Sequence, residues 1–208
     1  MRTPKNTCLI KAEKEREVKL SSNIILPPTA KKFNEFQSHV VTQDGIVVAV
    51  PTKLRNLKEV EISPGDHVYG HHFMCIDEKA VKINEEILYA NDYDSLYCKI
   101  ADDGAIIMLG SWNFIIPVYE PLRKIKTTSG IILSPQHNER KNLGKVIHLN
   151  SELALQGVKK GDIVWFKDDR EYEILIKEKM YYRIRNKDIL STVEGLEYVE
   201  EKLNLEIK

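Results

Sequence analysis

The feature that most constrains the fold of this 208-residue chain is a series of motifs that occurs twice in the same order. Each copy starts with three bulky aliphatic residues that follow small polar residues and precede a proline; they are Ile24, Ile25 and Leu26, and then Ile131, Ile132 and Leu133. A glycine-led apolar run comes next, at 45–50 and 144–149, followed by a Gly-Asp pair, at 65–66 and 161–162. Because a repeated order of motifs indicates a repeated architecture, the sequence predicts a tandem duplication.

Strand signals dominate within each copy. Short runs of β-branched, aromatic and aliphatic residues alternate with Gly, Asp, Asn and Pro breaks, which is typical of short strands joined by turns. Many short strands in a unit of this size predict an all-β fold, either a small antiparallel barrel or a sandwich. An Asp-Gly pair at 103–104 lies between two apolar runs and predicts a hairpin at the junction of the copies.

The two triplets are predicted to be binding elements. Ser, Asn or Gly precedes each triplet and Pro follows it, and these residues disfavour both a helix and a central strand. An apolar triplet displayed on a polar loop is a typical contact for another protein. The alternative is a pair of buried core strands, because short apolar runs do not discriminate between the two situations.

Composition argues against several classes of function. The 31 basic and 31 acidic residues balance, so no overall field favours nucleic acid or an anionic membrane. No apolar run reaches the roughly 20 residues that a membrane-spanning helix needs, and the first apolar run is too short for a signal peptide. The three widely spaced cysteines do not suggest a disulfide framework. We therefore expect a cytoplasmic protein without nucleic-acid or membrane partners.

The best candidate for a metal site is the group His67, His71, His72 and Cys75. The Gly-Asp turn before it predicts a strand, in which residues four apart lie roughly 13 Å from one another and cannot reach one ion. We expect neither a metal nor a catalytic centre. The sequence contains no phosphate loop or other nucleotide motif, so we expect no cofactor.

The second copy resembles the chaperonin-10 family, the GroES-like co-chaperonins. The resemblance rests on residues 129–133, 144–147, 158–164 and 188–194, which are similar to the family's mobile loop, the strand after it, the turn-strand "VKxGDxV" and the closing strand "DILxxVE". The first copy is similar more loosely, through 22–26, 45–50 and 63–68. The order of these motifs, rather than any single one, carries the resemblance.

The resemblance implies two tandem GroES-like β-barrels, each with a long mobile loop. The first barrel is predicted over 1–102 with a loop at about 13–38, and the second over 103–195 with a loop at about 120–142. The spacing of apolar residues in the C-terminal tail, 196–208, predicts a short helix or a frayed end. Between the glycine-led run of the second copy and Val158 there is little room for the family's roof hairpin.

The function implied by the resemblance is that of a co-chaperonin, which is not an enzyme. By position, Ile24, Ile25, Leu26, Ile131, Ile132 and Leu133 would contact a GroEL-like chaperonin ring, with nucleotide bound to the chaperonin. A homo-oligomeric ring of such chains would close the folding chamber and assist ATP-dependent protein folding. The alternative is a structural or assembly protein, for example one encoded by a phage, that uses GroES-like barrels without binding a chaperonin.

Overall fold

The computed structural model describes residues 2–4, 6–12, 43–55, 59–121, 139–177 and 179–200. Both aliphatic triplets, 24–26 and 131–133, lie outside these described residues. The chain divides into a first unit, Met1–Trp112 with Ile174–Lys179, and a second unit, Asn113–Glu173 with Met180–Lys208. Strands dominate the described residues, which confirms the predicted all-β fold. The predicted barrel bounds, 1–102 and 103–195, stay predictions.

The first sheet contains eight strands among the described residues. They are β1 (Arg2–Thr3), β2 (Thr7–Ala12), β3 (Asp44–Pro51), β4 (His67–Gly70), β5 (Ala80–Ile83), β6 (Glu86–Asp92), β7 (Leu96–Ile100) and β8 (Ile106–Met108). Their order is β5-β6-β2-β3-β4-β7-β8, and β1 pairs in parallel with β3 outside this path. The ladder of described strands does not close on itself.

The second sheet contains six strands in the described part of the chain. They are β9 (Trp112–Tyr119), β10 (Glu139–His148), β11 (Ile163–Phe166), β12 (Tyr172–Ile176), β13 (Lys179–Arg185) and β14 (Ile189–Val193), with helix α1 (Ser151–Leu155) between β10 and β11. Their order is β12-β13-β9-β10-β11-β14. This is the order of the first sheet from β5 to β7, with each strand replaced by its counterpart in the repeat.

The two ladders also share their register. Gly45 of β3 lies opposite Val68 of β4, and Gly144 of β10 lies opposite Val164 of β11. Both sheets have a β-bulge at the same place. In the first sheet, one extra residue of β3 lies between the partners of Leu9 and Ile10 in β2. In the second, one extra residue of β10 lies between the partners of Phe114 and Ile115 in β9. A bulge repeated at one position means that the copies share backbone geometry, not only hydrophobic pattern.

The Gly-Asp motif forms the same turn in both units. In the first, Gly65 has φ +97°, its N–H donates to the carbonyl of Val47 at 2.8 Å, and the Asp66 carboxylate accepts from the N–H of Ser63 at 2.9 Å. In the second, Gly161 has φ +98° and its N–H donates to the carbonyl of Val146, again at 2.8 Å. The positive φ explains the glycine. The aspartate stabilises the turn by accepting from a backbone N–H three residues earlier.

Each unit has its own buried apolar cluster, built from corresponding strands. The first contains Cys8, Ile10, Val47, Val68 and Leu96 among its members. The second contains Ile115, Val146, Val164, Phe166 and Ile184. Burial of each large aliphatic side chain contributes about 1.5–3 kcal/mol, so these clusters hold β2 to β4 and β9 to β11 together.

Three asparagines whose side chains contact one another support α1. This helix lies between β10 and Val158, where the sequence left little room for the family's roof hairpin. Asn150 caps the helix, since its Oδ1 accepts from the N–H of Leu153 at 2.8 Å. Its own N–H donates to Oδ1 of Asn113 at 3.0 Å, and both Nδ2 groups donate to Oδ1 of Asn186 at 2.7 and 2.8 Å. Because buried amides need such partners, the cluster fixes α1 against the starts of β9 and β14.

Two predicted elements differ from the structure and one is confirmed. The Asp-Gly hairpin is present, with the N–H of Ala101 donating to the carbonyl of Ala105 at 2.9 Å, although β8 after it lies in the first sheet. The strand expected to include His71 and Cys75 was wrong, because β4 ends at Gly70 and a turn follows. For the tail, predicted to be a short helix or a frayed end, the helix was wrong over 196–200, where Val199 forms a β-bridge with Tyr119.

Replacement of Gly45 by alanine is expected to destabilise the protein more than replacement of Gly144. An added Cβ at Gly45 would lie 2.6 Å from the backbone oxygen of Lys11, which moves only if the strand moves. At Gly144 the nearest atom is the terminal Cδ1 of Ile115, also at 2.6 Å, which a rotamer change can displace. We expect Gly45→Ala to lower the free energy of unfolding by about 2–3 kcal/mol and Gly144→Ala by about 1 kcal/mol, measured by urea denaturation. An equal or larger loss for Gly144→Ala would contradict this assignment.

Candidate functional site

The described strand ends frame the two segments that contain the predicted contact residues. β2 ends at Ala12, which lies opposite Gly45 near the start of β3. β9 ends at Tyr119, which lies opposite Glu139 at the start of β10. Because each pair is antiparallel, both ends of each connection leave from the same end of the ladder. The roles of Ile24, Ile25, Leu26, Ile131, Ile132 and Leu133 stay predictions, since these residues lie outside the described part of the chain.

In the second unit a half-buried tyrosine holds the start of β10. The hydroxyl of Tyr182, on β13, donates to the two carboxylate oxygens of Glu139 at 3.1 and 3.4 Å. Burial raises the pKa of Tyr182 above its usual value, and the nearby charge of Glu139 raises it further. The pKa of Tyr119 is also raised, by burial and then by the charges of Glu139 and Glu173. Both phenols therefore stay neutral at physiological pH, so the tyrosine can donate to the carboxylate.

In the first unit the corresponding strand ends are held by polar side-chain contacts. Nζ of Lys11 donates to Oε1 of Glu86 at 2.7 Å, and both side chains are about half exposed. Nε2 of His67 lies 3.0 Å from Oδ2 of Asp44 at the start of β3. Exposed ion pairs contribute only about 0–1 kcal/mol, so the contact of Lys11 with Glu86 aligns the strand ends without fixing them strongly.

The histidine-cysteine group does not converge on one point. The rings of His71 and His72 lie 4.0 Å apart, centroid to centroid, and the ring of Phe73 lies 3.9 Å from that of His72. Burial, followed by the charge of Asp44, raises the pKa of the Cys75 thiol to about 12. Among the residues that the structure describes, no three His, Cys, Asp or Glu side chains are grouped so that they could hold a metal ion.

The other two cysteines are also poor nucleophiles and poor metal ligands. Burial raises the pKa of the thiols of Cys8 and Cys98 to about 12. The reactive form of cysteine is the thiolate, which is scarce at neutral pH when the pKa is this high. These side chains therefore act in packing, and Cys8 belongs to the buried cluster of the first unit.

No helix in the described part of the chain is long and apolar enough to cross a bilayer.

Tyr182→Phe is expected to lower the free energy of unfolding by about 1 kcal/mol at pH 8, because the hydrogen bond to Glu139 is lost. The pKa of Tyr182 is raised in the folded protein, whereas an unfolded tyrosine ionises near pH 10. Its contribution is thus complete below about pH 10 and is lost as the pH rises from there towards the raised folded value. Urea denaturation at pH 8 and near pH 11 should show a smaller difference between wild type and variant at the higher pH.

The control for this measurement is Tyr172→Phe, at a tyrosine of the same sheet that is 55% exposed. This variant is expected to follow the wild-type pH dependence. A difference between wild type and Tyr182→Phe that does not change between the two pH values would contradict the role assigned to Tyr182.

Two comparisons with known proteins fall on the second unit. Residues 113–193 match the family model described as the chaperonin 10 Kd subunit. The Co-chaperonin GroES of Aquifex aeolicus (strain VF5) is 36% identical over 76 residues, an alignment that covers 33% of this chain and 62% of that relative. The matched span begins at Asn113 in β9 and ends at Val193, the last residue of β14, so it coincides with the second sheet. Residues 113–193 are thus similar to the chaperonin-10 family, and the alignment spans less than two thirds of the length of the relative.

Proposed function

We propose that this protein is a co-chaperonin that caps a GroEL-like chaperonin ring and assists ATP-dependent protein folding. The observation that carries the proposal is the coincidence of the family match, 113–193, with a complete sheet whose β9 and β10 flank the triplet Ile131, Ile132 and Leu133. The relative that the chain resembles is named a co-chaperonin. The contacts would be made by these three residues and by their counterparts Ile24, Ile25 and Leu26.

The first unit would be a second module of the same kind. Its sheet repeats the strand order, the register and the bulge of the second sheet, and its triplet lies between β2 and β3 as the other lies between β9 and β10. A shared backbone supports a shared role for the segment that each sheet presents. One chain would then supply two contacts to the chaperonin.

The energetics of the triplets favour reversible capping. Burial of three aliphatic side chains yields roughly 5–9 kcal/mol, whereas ordering a segment costs about 1–2 kcal/mol for each backbone residue fixed. One triplet would therefore bind weakly. Several triplets on one assembly raise each other's effective concentration and bind tightly together, so a small change at each chaperonin site releases the whole lid. The nucleotide would be bound and hydrolysed by the chaperonin.

The arrangement of the strands supports assembly of the chains into a ring. In the first sheet the end strand β7 is covered by β8, whereas its counterpart β14 ends the second sheet without such a strand among the described residues. Leu9 in β2 and Phe114 in β9 occupy the same position beside the repeated bulge. Arg2 of β1 lies seven positions before Leu9, and Ile107 of β8 lies seven positions before Phe114. β1 is therefore the counterpart of β8. β1 of one chain would pair with β14 of the next. Such head-to-tail contacts form a ring when the rotation from one chain to the next closes on itself.

Substitution of the triplets tests the proposed function. We expect wild-type protein to co-elute with a GroEL-type ring in the presence of ATP or ADP, and Ile131→Ser with Leu133→Ser to lower that affinity at least about tenfold, because buried apolar area is lost. Ile24→Ser with Leu26→Ser tests the first triplet in the same way. Gel filtration with quantified co-elution is the measurement.

The matched control is Leu155→Ser, the same change at a leucine that is 88% exposed on α1, and it should leave co-elution unchanged. Failure of the wild-type protein to co-elute with GroEL-type rings, together with unchanged self-assembly in the triplet variants, would favour a structural assembly protein instead. Co-elution that is unaffected by both double substitutions would contradict the contact residues.

Removal of Arg2 and Thr3 is expected to convert the assembly into single chains, because the backbone groups that would pair with β14 are lost. Native mass spectrometry measures the number of chains. Arg2→Ala is the control, since it removes a side chain but keeps the backbone of β1, and it should assemble as the wild type does. An unchanged assembly after removal of both residues would contradict the pairing of β1 with β14.

A further inference from the structure

The C-terminal residues beyond the family match lie against the base of the segment that contains the second triplet. Val199 and Tyr119 exchange two backbone hydrogen bonds, with N···O distances of 2.9 and 3.1 Å. Tyr119 is the last residue of β9 and lies opposite the first residue of β10. The tail thus pairs with the strand end from which the 122–138 connection leaves.

Side chains of β10 complete this contact. Nη2 of Arg140 donates to the backbone carbonyl of Glu197 at 3.2 Å. Nζ of Lys145 donates to Oε1 of Glu200, and hydrogen bonds to Glu200 and then the nearby Tyr198 side chain raise the pKa of Lys145. Residues 197–200 are therefore joined to both strands that flank the connection, by backbone on β9 and by side chains on β10.

The ladder between β9 and β10 is irregular where the tail contacts it. Glu139 pairs with Tyr119, but the next pair along the strand is Gly144 with Pro117, and the register shifts between them. Asn142 in this stretch has a positive φ of 63°, which is unusual for a residue other than glycine. Strand ends with an interrupted ladder open readily unless another element holds them.

The tail is specific to the second unit. The last strands of the two units correspond, since Val193 lies opposite Ile163 as Ile100 lies opposite His67. After Ile100 the chain turns back as β8 and pairs with β7, whereas after Val193 it crosses to Tyr119. The chain after the last strand of the first unit therefore adds a strand to the sheet, whereas the chain after β14 contacts the end of β9.

We propose that residues 196–200 are a positioning strap that holds β9 and β10 together where the chaperonin-binding segment leaves the second sheet. The inference rests on the proposed function, because it assigns the strap to the segment that would bind the chaperonin. Strand ends that are already held together need not be ordered on binding, so less of the binding free energy is lost to their conformational entropy. The strap makes the second binding segment more effective than it would be on frayed strand ends.

The strap contacts are polar and partly exposed, which separates this role from a general structural one. Glu200 has a side chain that is 44% exposed and Lys145 one that is 22% exposed, and neither belongs to the buried apolar cluster of this unit. Loss of the strap should change local opening and chaperonin binding much more than the melting temperature of the protein.

Two truncations test the proposal, one ending at Gly195 and one ending at Glu200. The first removes the strap, and the second removes only the residues beyond it. In the first, amide hydrogen exchange in peptides covering 115–121 and 139–146 should accelerate about tenfold or more, with the melting temperature within about 3 °C of wild type. Dissociation from a GroEL-type ring should be about tenfold faster. The second truncation should match wild type in all three measurements.

Point variants refine the assignment to the ionic contact. Glu200→Gln removes the charge that Lys145 contacts and should accelerate exchange in the 139–146 peptide about threefold, while Glu200→Asp should restore much of the protection. Equal protection in both truncations would overturn the strap. Faster exchange without faster dissociation from the ring would overturn its positioning role. Because exchange is measured on the protein alone, absence of chaperonin binding would count against the proposed function and leave the strap measurable.

Discussion

In each sheet, a glycine lies where the preceding strand approaches so closely that an added Cβ would force a neighbouring atom to move. At Gly45 and Gly144 an added Cβ would lie within 2.6 Å of an atom of the preceding strand. This close approach sets β3 against β2 and β10 against β9, and the bulges beside it, which involve Ile10 and Ile115, follow in the same register. The buried clusters form on this paired framework, so the rest of each sheet depends on it.

The same pairing determines where the two proposed binding segments leave. Since β2 with β3 and β9 with β10 are antiparallel neighbours, each segment starts and ends at one end of a ladder. The units differ in how that end is held. In the first it carries surface ionic contacts such as Lys11 with Glu86. In the second it carries the hydrogen bond of the half-buried Tyr182 to Glu139 and the pairing of Val199 with Tyr119. A duplicated framework thus presents the two proposed binding segments from bases that are held differently.

Much of the fold could be predicted from residue pattern because the decisive residues are local. The Gly-Asp turns were read from two adjacent residues, and the Asp-Gly hairpin between β7 and β8 likewise. Prediction from the residue pattern failed where contacts with residues distant in the chain determine the local structure. Residues 71–75 were expected to extend β4, yet the strand ends at Gly70. The spacing of Leu196 and Val199 suggested a helix, but the backbone of Val199 pairs with Tyr119, a strand end whose polar groups need partners.

The sequence by itself determined the repeat, the all-β character, the turns and the positions of the two triplets, because glycine geometry and apolar alternation act over a few residues. Only the tertiary structure decided which strand covers which. It placed β8 on the edge of the first sheet and the C-terminal residues 197–200 against the ends of β9 and β10, from which the second proposed binding segment leaves. These pairings join residues far apart in the chain, and their free energy depends on backbone groups that every residue carries. Local composition therefore contains no signal for them.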